Sequence, residues 1–401
     1  MGVDIGGHVE SGFERVRDAF AHNFEENAEV GAGYALYVDG RKVVDLWGGA
    51  ADRKTCRAYD EDTLQLVFST TKGATAACAH VLAQRGDLDI DAPVARYWPE
   101  FAQAGKERVP VRWLLCHKVG LPAFDAVLEP GAAFAWDPMV EALAAQEPYW
   151  EPGTAHGYHA VTYGWLVGEV VRRISGKSLG AFFRDEIATP LGIEFWIGLP
   201  EDLEPRVAPL IGGLAEPDES AESPLTSLLG GDSLTAKAFN LNGAFGDGST
   251  GANSRIYHAA EIPAANGITN ARSLARMYAG LIGTVDGGPT EPLLTPDQVN
   301  RARQRQTEGP DRILSFPALG VELETPFALG FWSASEMGRF GGVGAFGHPG
   351  AGGSVGFADP ENRLAGGYVM NKMATGIAGD PRSAGLIRAS YECAGARAKY
   401  A

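Results

Sequence analysis

Ser69 and Lys72 are three positions apart in Ser69-Thr70-Thr71-Lys72, a spacing with a direct chemical use. If a helix begins near Ser69, the two side chains lie on one face within contact distance. A serine hydroxyl becomes a strong nucleophile only when a base removes its proton, and a desolvated lysine can have a pKa low enough to be that base. The positive end of the helix dipole would also favour negative charge on Ser69. The pair therefore predicts a serine nucleophile at position 69 with Lys72 as its base.

The segments on both sides of this pair strengthen the prediction. The spacing alone is also typical of an ordinary helix start, because serine is a common N-cap residue. Here a mostly apolar run, 64–68, leads directly into the motif, and an alanine-rich stretch, 73–83, follows it. Both would partly bury Lys72, which is the condition for a lowered pKa of its amine.

Three further segments follow the Ser69 motif in the chain. They are Leu114-Leu115-Cys116-His117-Lys118-Val119-Gly120-Leu121-Pro122, then Pro152-Gly153-Thr154 with Gly157-Tyr158-His159-Ala160, and last His348-Pro349-Gly350-Ala351-Gly352-Gly353-Ser354. Together with the first motif they resemble the serine β-lactamases and penicillin-recognising enzymes, and more closely the β-lactamase-like carboxylesterases called family VIII esterases. The segment around Tyr158 lies where the family has its Tyr-x-Asn motif. The last segment is similar to the family's Lys-Thr-Gly strand and its His-x-Gly variants. The resemblance covers nearly the whole chain.

The resemblance implies an α+β fold of the β-lactamase/transpeptidase type and an acyl-enzyme mechanism. Ser69 would carry the acyl group, Lys72 would be its base, and Tyr158 would move protons to the leaving group and from the hydrolytic water. A phenol and an ammonium both have reference pKa values of about 10, so a neighbouring Tyr and Lys can share a proton. We expect the oxyanion donors to be the backbone amides of Ser69 and Ala351, because Pro349 has no N–H and the glycines allow close approach of a strand edge. No cofactor and no metal is needed.

The sequence departs from the family pattern at two positions that bear on the substrate. Ala160 stands in place of the asparagine of Tyr-x-Asn, and His348 stands in place of the lysine of Lys-Thr-Gly. Both changes weaken recognition of an anionic β-lactam, so an uncharged ester fits better. We predict substrate contacts from His348, Gly350, Ala160 and Trp332.

The resulting prediction is a carboxylesterase acting on short-chain or small-molecule esters. β-Lactamase or D-Ala-D-Ala peptidase-like activity remains an alternative, because it would use the same acylation apparatus. Acyl transfer to an acceptor other than water is another, since it shares the acyl-enzyme. A catalytically idle binding protein on the same fold is the non-enzymatic alternative, and Ala160 is the one departure that favours it.

A second serine, Ser354, lies in a motif of another hydrolase class. Gly352-Gly353-Ser354-Val355-Gly356 matches the Gly-x-Ser-x-Gly nucleophile elbow of α/β-hydrolases. That elbow requires a strand, a sharp turn and then a helix, whereas the residues after Ser354 predict a hairpin. Ser354 is therefore the lesser candidate for the nucleophile.

Histidines and cysteines supply metal-binding side chains without metal-binding spacing. The histidines considered are His117, His156, His159 and His258. The cysteines are Cys56, Cys78, Cys116 and Cys393. No HExxH or CxxC pattern accompanies them. We predict no metal site, and free thiols.

The candidate site residues are far apart in sequence, so a tertiary scaffold must bring them together. Helical periodicity predicts helices at 10–24, 73–83, 163–174 and 271–281. Apolar runs predict strands on both sides of Asp39-Gly40 between 33 and 46, and at 327–332, 345–346, 353–357 and 364–370, with a turn at 359–362. Strands at both ends of the chain with helices between them indicate an antiparallel sheet flanked by helices.

We predict two parts with the site in the cleft between them. Residues 1–75 and 261–401 together would form the sheet domain, and 76–260 a mostly helical domain. Its segment 200–254 is rich in loop residues, and it is interpreted either as a flap over the site or as a solvated connection.

The charge balance favours a small molecule as the partner. The 34 basic and 50 acidic residues give a formal net charge of -16, which would repel nucleic acid and anionic lipid. No apolar run approaches the roughly 20 residues of a membrane span, and residues 1–22 lack the pattern of a signal peptide. The sequence predicts a cytoplasmic monomer or homodimer that acts on a small ester.

Overall fold

The computed structural model describes residues 3–212, 233–246, 250–316, 320–375 and 379–399. The strands are β1 (Ile5–Val9), β2 (Gly31–Val38), β3 (Arg41–Asp52), β4 (Arg57–Ala58), β5 (Gln65–Leu66), β6 (Phe195–Trp196), β7 (Ile268–Thr269), β8 (Trp332–Ser333), β9 (Phe346–Pro349), β10 (Val355–Asp359) and β11 (Leu364–Met370). The helices are α1 (Glu14–Glu26), α2 (Thr71–Arg85), α3 (Val111–Leu115), α4 (Trp136–Ala145), α5 (Thr162–Ser175), α6 (Leu179–Phe183), α7 (Thr189–Leu191), α8 (Leu234–Asn240), α9 (Arg255–Ala259), α10 (Ala271–Ile282), α11 (Pro296–Arg303) and α12 (Pro381–Cys393).

The main sheet joins the two ends of the chain. Its order is β1-β3-β2-β11-β10-β9-β8, with β4 paired to β3, and each pair of neighbours is antiparallel. The joint lies between β2 and β11, where Val38 pairs with Leu364 and Ala32 with Met370. The predicted antiparallel sheet built from both ends of the chain is confirmed.

Three glycines on neighbouring strands let α10 lie directly on this sheet. A Cβ atom at Gly367 would be 2.8 Å from both Ala271 O and Ala275 N of the helix. One at Gly356 would be 2.4 Å from the ring of Tyr278, and one at Gly33 would be 3.2 Å from Ala271 Cβ. The helix therefore packs backbone against backbone, which holds the chain on either side of it at a defined height above the sheet.

A second, three-stranded sheet holds the chain that leads into Ser69. Its order is β5-β7-β6, so the residues before Ser69 pair with the residues just before α10. Because α10 is fixed on the main sheet, this small sheet fixes the approach to Ser69.

Several predicted boundaries differ from the structure. β1 was not predicted, and the first helix begins at Glu14 because the chain turns at residues 11–12. The strand predicted over 327–332 is wrong: Phe327 pairs with Trp332 within one chain reversal, and the strand occupies Trp332–Ser333. Such a compact reversal is apolar on all sides because it is buried, so its sequence has the same pattern as a strand.

Two predictions about large segments remain open. Within 200–254 the structure has a 3₁₀ segment at Glu201–Arg206 and helix α8, whereas residues 213–232 and 247–249 lie outside the described residues. The flap and the two-domain division therefore stay predictions. None of the described helices has the length and apolar composition that crossing a bilayer requires.

The contact between α10 and the sheet can be tested with a matched pair of glycine substitutions. Gly367→Ala should lower the free energy of unfolding by about 1–3 kcal/mol, because the new methyl group meets helix backbone. Gly385→Ala, in the middle of α12 where nothing lies within 4 Å of the new atom, should raise it by up to about 1 kcal/mol. Urea denaturation of both variants measures the difference, and equal effects would contradict the close approach of α10.

Candidate active site

Ser69 lies immediately before α2, in a strained turn. The Val67 N–H donates to Gly267 O (2.9 Å), and Phe68 has a φ of 42°, a left-handed conformation that is uncommon for a residue with a side chain. The N–H of Thr71 then donates to Phe68 O (2.9 Å) and that of Lys72 to Ser69 O (3.0 Å). The helix begins at Thr71, two residues after the serine. This tight turn nevertheless brings Ser69 and Lys72 to the same side.

The amine of Lys72 has three partners and no exposure to solvent. Its Nζ lies 2.7 Å from Ala160 O, 2.9 Å from Ala264 O and 3.1 Å from Ser69 Oγ. Burial lowers the pKa of Lys72 well below its ordinary range. A neutral amine has two N–H groups and one lone pair, and the two carbonyl oxygens can only accept. The lone pair is therefore left for the hydroxyl of Ser69, which is the arrangement a general base needs.

Tyr158 completes this group as a buried phenol. Its ring stacks on Phe327 with centroids 5.8 Å apart, and Lys72 Nζ lies 4.8 Å from its ring centroid. Burial raises the pKa of Tyr158, the hydrogen bond with Ser69 opposes that rise, and the charge of Asp311 adds to it. The structure thus brings together the three residues Ser69, Lys72 and Tyr158, with a protonated phenol next to the serine.

Asp311, which the sequence did not single out, holds the backbone of Tyr158. This fully buried carboxylate accepts the N–H groups of Tyr158 (3.1 Å), Ile313 (2.8 Å) and Leu314 (2.9 Å), and the hydroxyl of Thr325 (2.7 Å). Asp311 and Tyr158 are 153 positions apart, and Asp311 belongs to no motif. No local signal could have identified it.

The histidines near Tyr158 hold two segments together. His117 Nδ1 accepts the N–H of His159 (3.1 Å), and His159 Nε2 accepts the N–H of Leu121 (2.9 Å). Burial lowers the pKa of both rings, that of His159 to about 3, so both are neutral. They dock the 114–122 segment against the tyrosine. In the described part of the chain, no three His, Cys, Asp or Glu side chains form a group suited to a metal ion.

The predicted oxyanion donor Ala351 occupies a β-turn. The Gly353 N–H donates to Gly350 O (3.1 Å), so Ala351 and Gly352 are its central residues. Gly352 has a φ of 87°, which a type II turn requires at this position. Among the described residues neither the Ala351 N–H nor the Ser69 N–H has a hydrogen-bond acceptor. Two free backbone donors are what an oxyanion requires.

Gly350 and Ser354 press this turn against the chain that precedes Ser69. A Cβ at Gly350 would lie 2.2 Å from Val67 O, and the Gly350 N–H already donates to Ser354 O (2.7 Å). The Ser354 hydroxyl donates to Val67 O (2.9 Å) and has no exposure to solvent. β10 follows it, so the strand-turn-helix of a nucleophile elbow is absent there. The geometry thus disfavours Ser354 as the nucleophile, and Ser69 stays the predicted one. Gly350 contributes close packing.

The other residues predicted to contact the substrate, Ala160, His348 and Trp332, offer different groups for hydrogen bonding. Ala160 contributes its carbonyl oxygen, which binds Lys72, whereas its side chain is buried. His348 donates from Nδ1 to Pro349 O (2.7 Å), and its ring is 6.4 Å from that of Tyr158. Among the described residues its buried Nε2 has no partner, and neither has the Nε1 of Trp332, whose ring is 5.8 Å away. Burial lowers the pKa of His348, and its one ring proton lies on Nδ1 toward Pro349 O, so Nε2 is an unprotonated acceptor.

Known proteins of similar sequence and structure extend over nearly the full chain. Residues 16–387 match the family model described as Beta-lactamase. The esterase/beta-lactamase LipL of Mycobacterium tuberculosis is 35% identical over 383 residues, which cover 93% of this chain and 84% of LipL. A family VIII carboxylesterase superposes with a TM-score of 0.84 at 38% identity, covering 97% of this chain and 100% of its own. A penicillin-binding protein homologue from Caulobacter crescentus has the same TM-score of 0.84, identity of 38% and coverage of 97% and 100%.

The charge state of Lys72 can be tested through the pH dependence of stability. Between its lowered native pKa and the ordinary lysine value of about 10.4, the unfolded chain binds a proton on this amine and the native protein does not. Relative to Lys72→Met, the wild type should therefore become more stable with rising pH, by about 1.4 kcal/mol per pH unit within that window. Urea denaturation between about pH 7 and 9 measures the slope. Parallel curves for the two proteins would mean that native Lys72 is charged.

Proposed function

The chain belongs to the beta-lactamase family, and we propose that it is a carboxylesterase that hydrolyses small, uncharged esters through an acyl-enzyme on Ser69. One observation carries the proposal: the buried amine of Lys72 binds two carbonyl oxygens and has its remaining site directed at the Ser69 hydroxyl. A lysine held in this way has no structural need for a serine partner. The arrangement activates the serine.

Acylation follows from the proton positions. Ser69 Oγ attacks the ester carbonyl carbon while its proton passes to the neutral Lys72 amine. Negative charge then develops on the carbonyl oxygen and is stabilised by the N–H groups of Ser69 and Ala351. When the C–O bond to the alcohol breaks, the Tyr158 phenol donates its proton to the leaving alkoxide. The phenol regains a proton from the Lys72 ammonium, so both groups return to their starting states.

Deacylation uses the same groups in reverse. A water molecule takes the position of the alcohol and loses a proton to the Lys72–Tyr158 pair as its oxygen attacks the acyl carbon. The tetrahedral intermediate again places its oxyanion at the two amides. Collapse expels Ser69 Oγ, which recovers its proton from the pair, and the carboxylic acid leaves. An alcohol in place of water would give acyl transfer by the same route.

The polar groups beside Tyr158 favour an uncharged substrate. His348 offers a neutral acceptor and Trp332 a neutral donor, so neither provides a cation for a substrate carboxylate. An ester with a small polar group in its acyl or alcohol part would donate a hydrogen bond to His348 Nε2 and accept one from Trp332 Nε1. β-Lactam hydrolysis is the second candidate, supported by the similarity to the esterase/beta-lactamase LipL and by an acylation apparatus that does not depend on the leaving group.

The nucleophile can be identified by comparing two serines. Ser69→Ala should reduce hydrolysis of short-chain p-nitrophenyl esters by about 1,000-fold or more, and it should abolish the mass increase from a phosphonate probe. Ser354→Ala is the matched control and should keep turnover within about tenfold, because it removes a hydrogen bond within the turn. The same samples can be tested with a chromogenic cephalosporin. Full ester turnover by Ser69→Ala would overturn the proposal.

The oxyanion donor can be removed with one backbone change. Ala351→Pro deletes the N–H, and proline is favoured at the second position of a β-turn, so the turn should persist. We expect kcat to fall by about 100- to 1,000-fold with KM nearly unchanged. Ala351→Gly keeps the N–H and should stay within about tenfold of the wild type. Equal kcat values for the two variants would exclude Ala351 as a donor.

A further inference from the structure

We propose that Arg382 is a positioning residue for the oxyanion turn, residues 350–353. The inference rests on the proposed function, because it concerns the donor amide of Ala351. Arg382 lies near the start of α12, outside every motif that identified the site. Its guanidinium binds the backbone of the turn at Gly352 O. It therefore acts on the reaction only through the position of that backbone.

The guanidinium of Arg382 is buried and uses all five of its N–H groups. Nη2 donates to Gly352 O (2.8 Å) and to Asp380 Oδ2 (2.6 Å), and Nη1 donates to Glu29 Oε1 (3.0 Å) and Lys372 O (2.9 Å). Nε donates to Asp380, 3.1 Å from each oxygen. The side chain is 4% exposed. A planar fork with every donor used has one orientation, so Gly352 O is held at a defined position.

The partners of Arg382 belong to rigid parts of the fold. Glu29 precedes β2 and also accepts a hydrogen bond from the hydroxyl of Tyr368 in β11. Asp380 caps α12 by accepting the N–H of Arg382 (2.8 Å). The arginine is thus anchored to both halves of the main sheet and to the C-terminal helix. These carboxylates also supply the charge that a buried guanidinium requires.

The oxyanion turn needs an external support because of its own sequence. Three of its four residues, Gly350, Gly352 and Gly353, are glycines, whose backbones are free to adopt many conformations. Oxyanion stabilisation requires donors that are already oriented before charge develops. Arg382 and the Ala374 N–H (2.9 Å) both bind Gly352 O, whereas Ser354 holds the next residues against Val67. The arginine therefore fixes the peptide between Gly352 and Gly353, within the same turn that carries the Ala351 N–H.

A purely structural arginine and a positioning arginine predict different couplings to Ala351. If Arg382 acts by orienting the Ala351 N–H, its loss should matter only while that N–H exists. If it serves general stability, its loss should lower activity by the same factor in any background. The test is a double-mutant cycle with Arg382→Met and Ala351→Pro, read as single-turnover release of p-nitrophenolate from p-nitrophenyl acetate with the enzyme in excess.

We expect Arg382→Met to slow acylation by about 10- to 100-fold, with the half-saturating enzyme concentration changed by less than about threefold. In the Ala351→Pro background the same substitution should slow it by less than about threefold. Arg388→Met, which removes an exposed arginine from the same helix, is the control and should match the wild type in both backgrounds. Equal factors for Arg382→Met in both backgrounds would overturn the proposal.

A folding defect and a failure of the proposed function both have separate readouts. Circular dichroism reports whether Arg382→Met is folded. If it is not, the cycle is run with Arg382→Lys, because one ammonium cannot bridge Asp380, Glu29 and Gly352 together. The same expectations and the same overturning result apply to it. The proposed function fails separately: ester turnover would then survive Ser69→Ala, and this result does not depend on the outcome of the double-mutant cycle.

Discussion

The rest of the structure depends on one constraint: the amine of Lys72 is buried with no exposure to solvent. The charged form of Lys72 would be costly in its buried position, and the neutral form needs acceptors for its two N–H groups. Those acceptors are the carbonyl oxygens of Ala160 and Ala264, which come from parts of the chain 88 and 192 positions away. Three segments must therefore meet at one nitrogen atom. Only then does the lone pair remain for Ser69.

The fold meets this constraint with backbone contacts around the site. Close packing of α10 on strand glycines sets the height of the residues near Ala264, and the small sheet carries that position to the turn before Ser69. The site itself holds neutral groups: an unprotonated amine, a protonated phenol and neutral imidazoles. Its support comes from buried ions outside it. Asp311 holds the backbone of Tyr158, and the Arg382 cluster binds the oxyanion turn.

Because the ionised side chains lie outside the site and the groups within it are neutral, the site fits an uncharged substrate. A permanent ion beside Ser69 would shift the pKa of the lysine. Ions placed behind the backbone can fix geometry through carbonyl and amide groups while they act only weakly on the reacting atoms. His348 and Trp332 then remain as uncharged recognition groups. Differences in substrate among relatives of this fold would accordingly be expected at such positions, with the activated serine unchanged.

The sequence by itself determined the parts whose signal is local. The predicted fold of the β-lactamase/transpeptidase type is confirmed. Local periodicity placed β11 at 364–370 and α5 within one residue of its ends, and motif spacing singled out Ser69, Lys72 and Tyr158, which the structure brings together. Tertiary structure alone decided the partners of Lys72, the burial of Ser354, and the roles of Asp311 and Arg382. The physical reason is that burial and hydrogen bonds between distant segments have no period along the chain. A single aspartate or arginine in the sequence does not reveal which backbone it will hold.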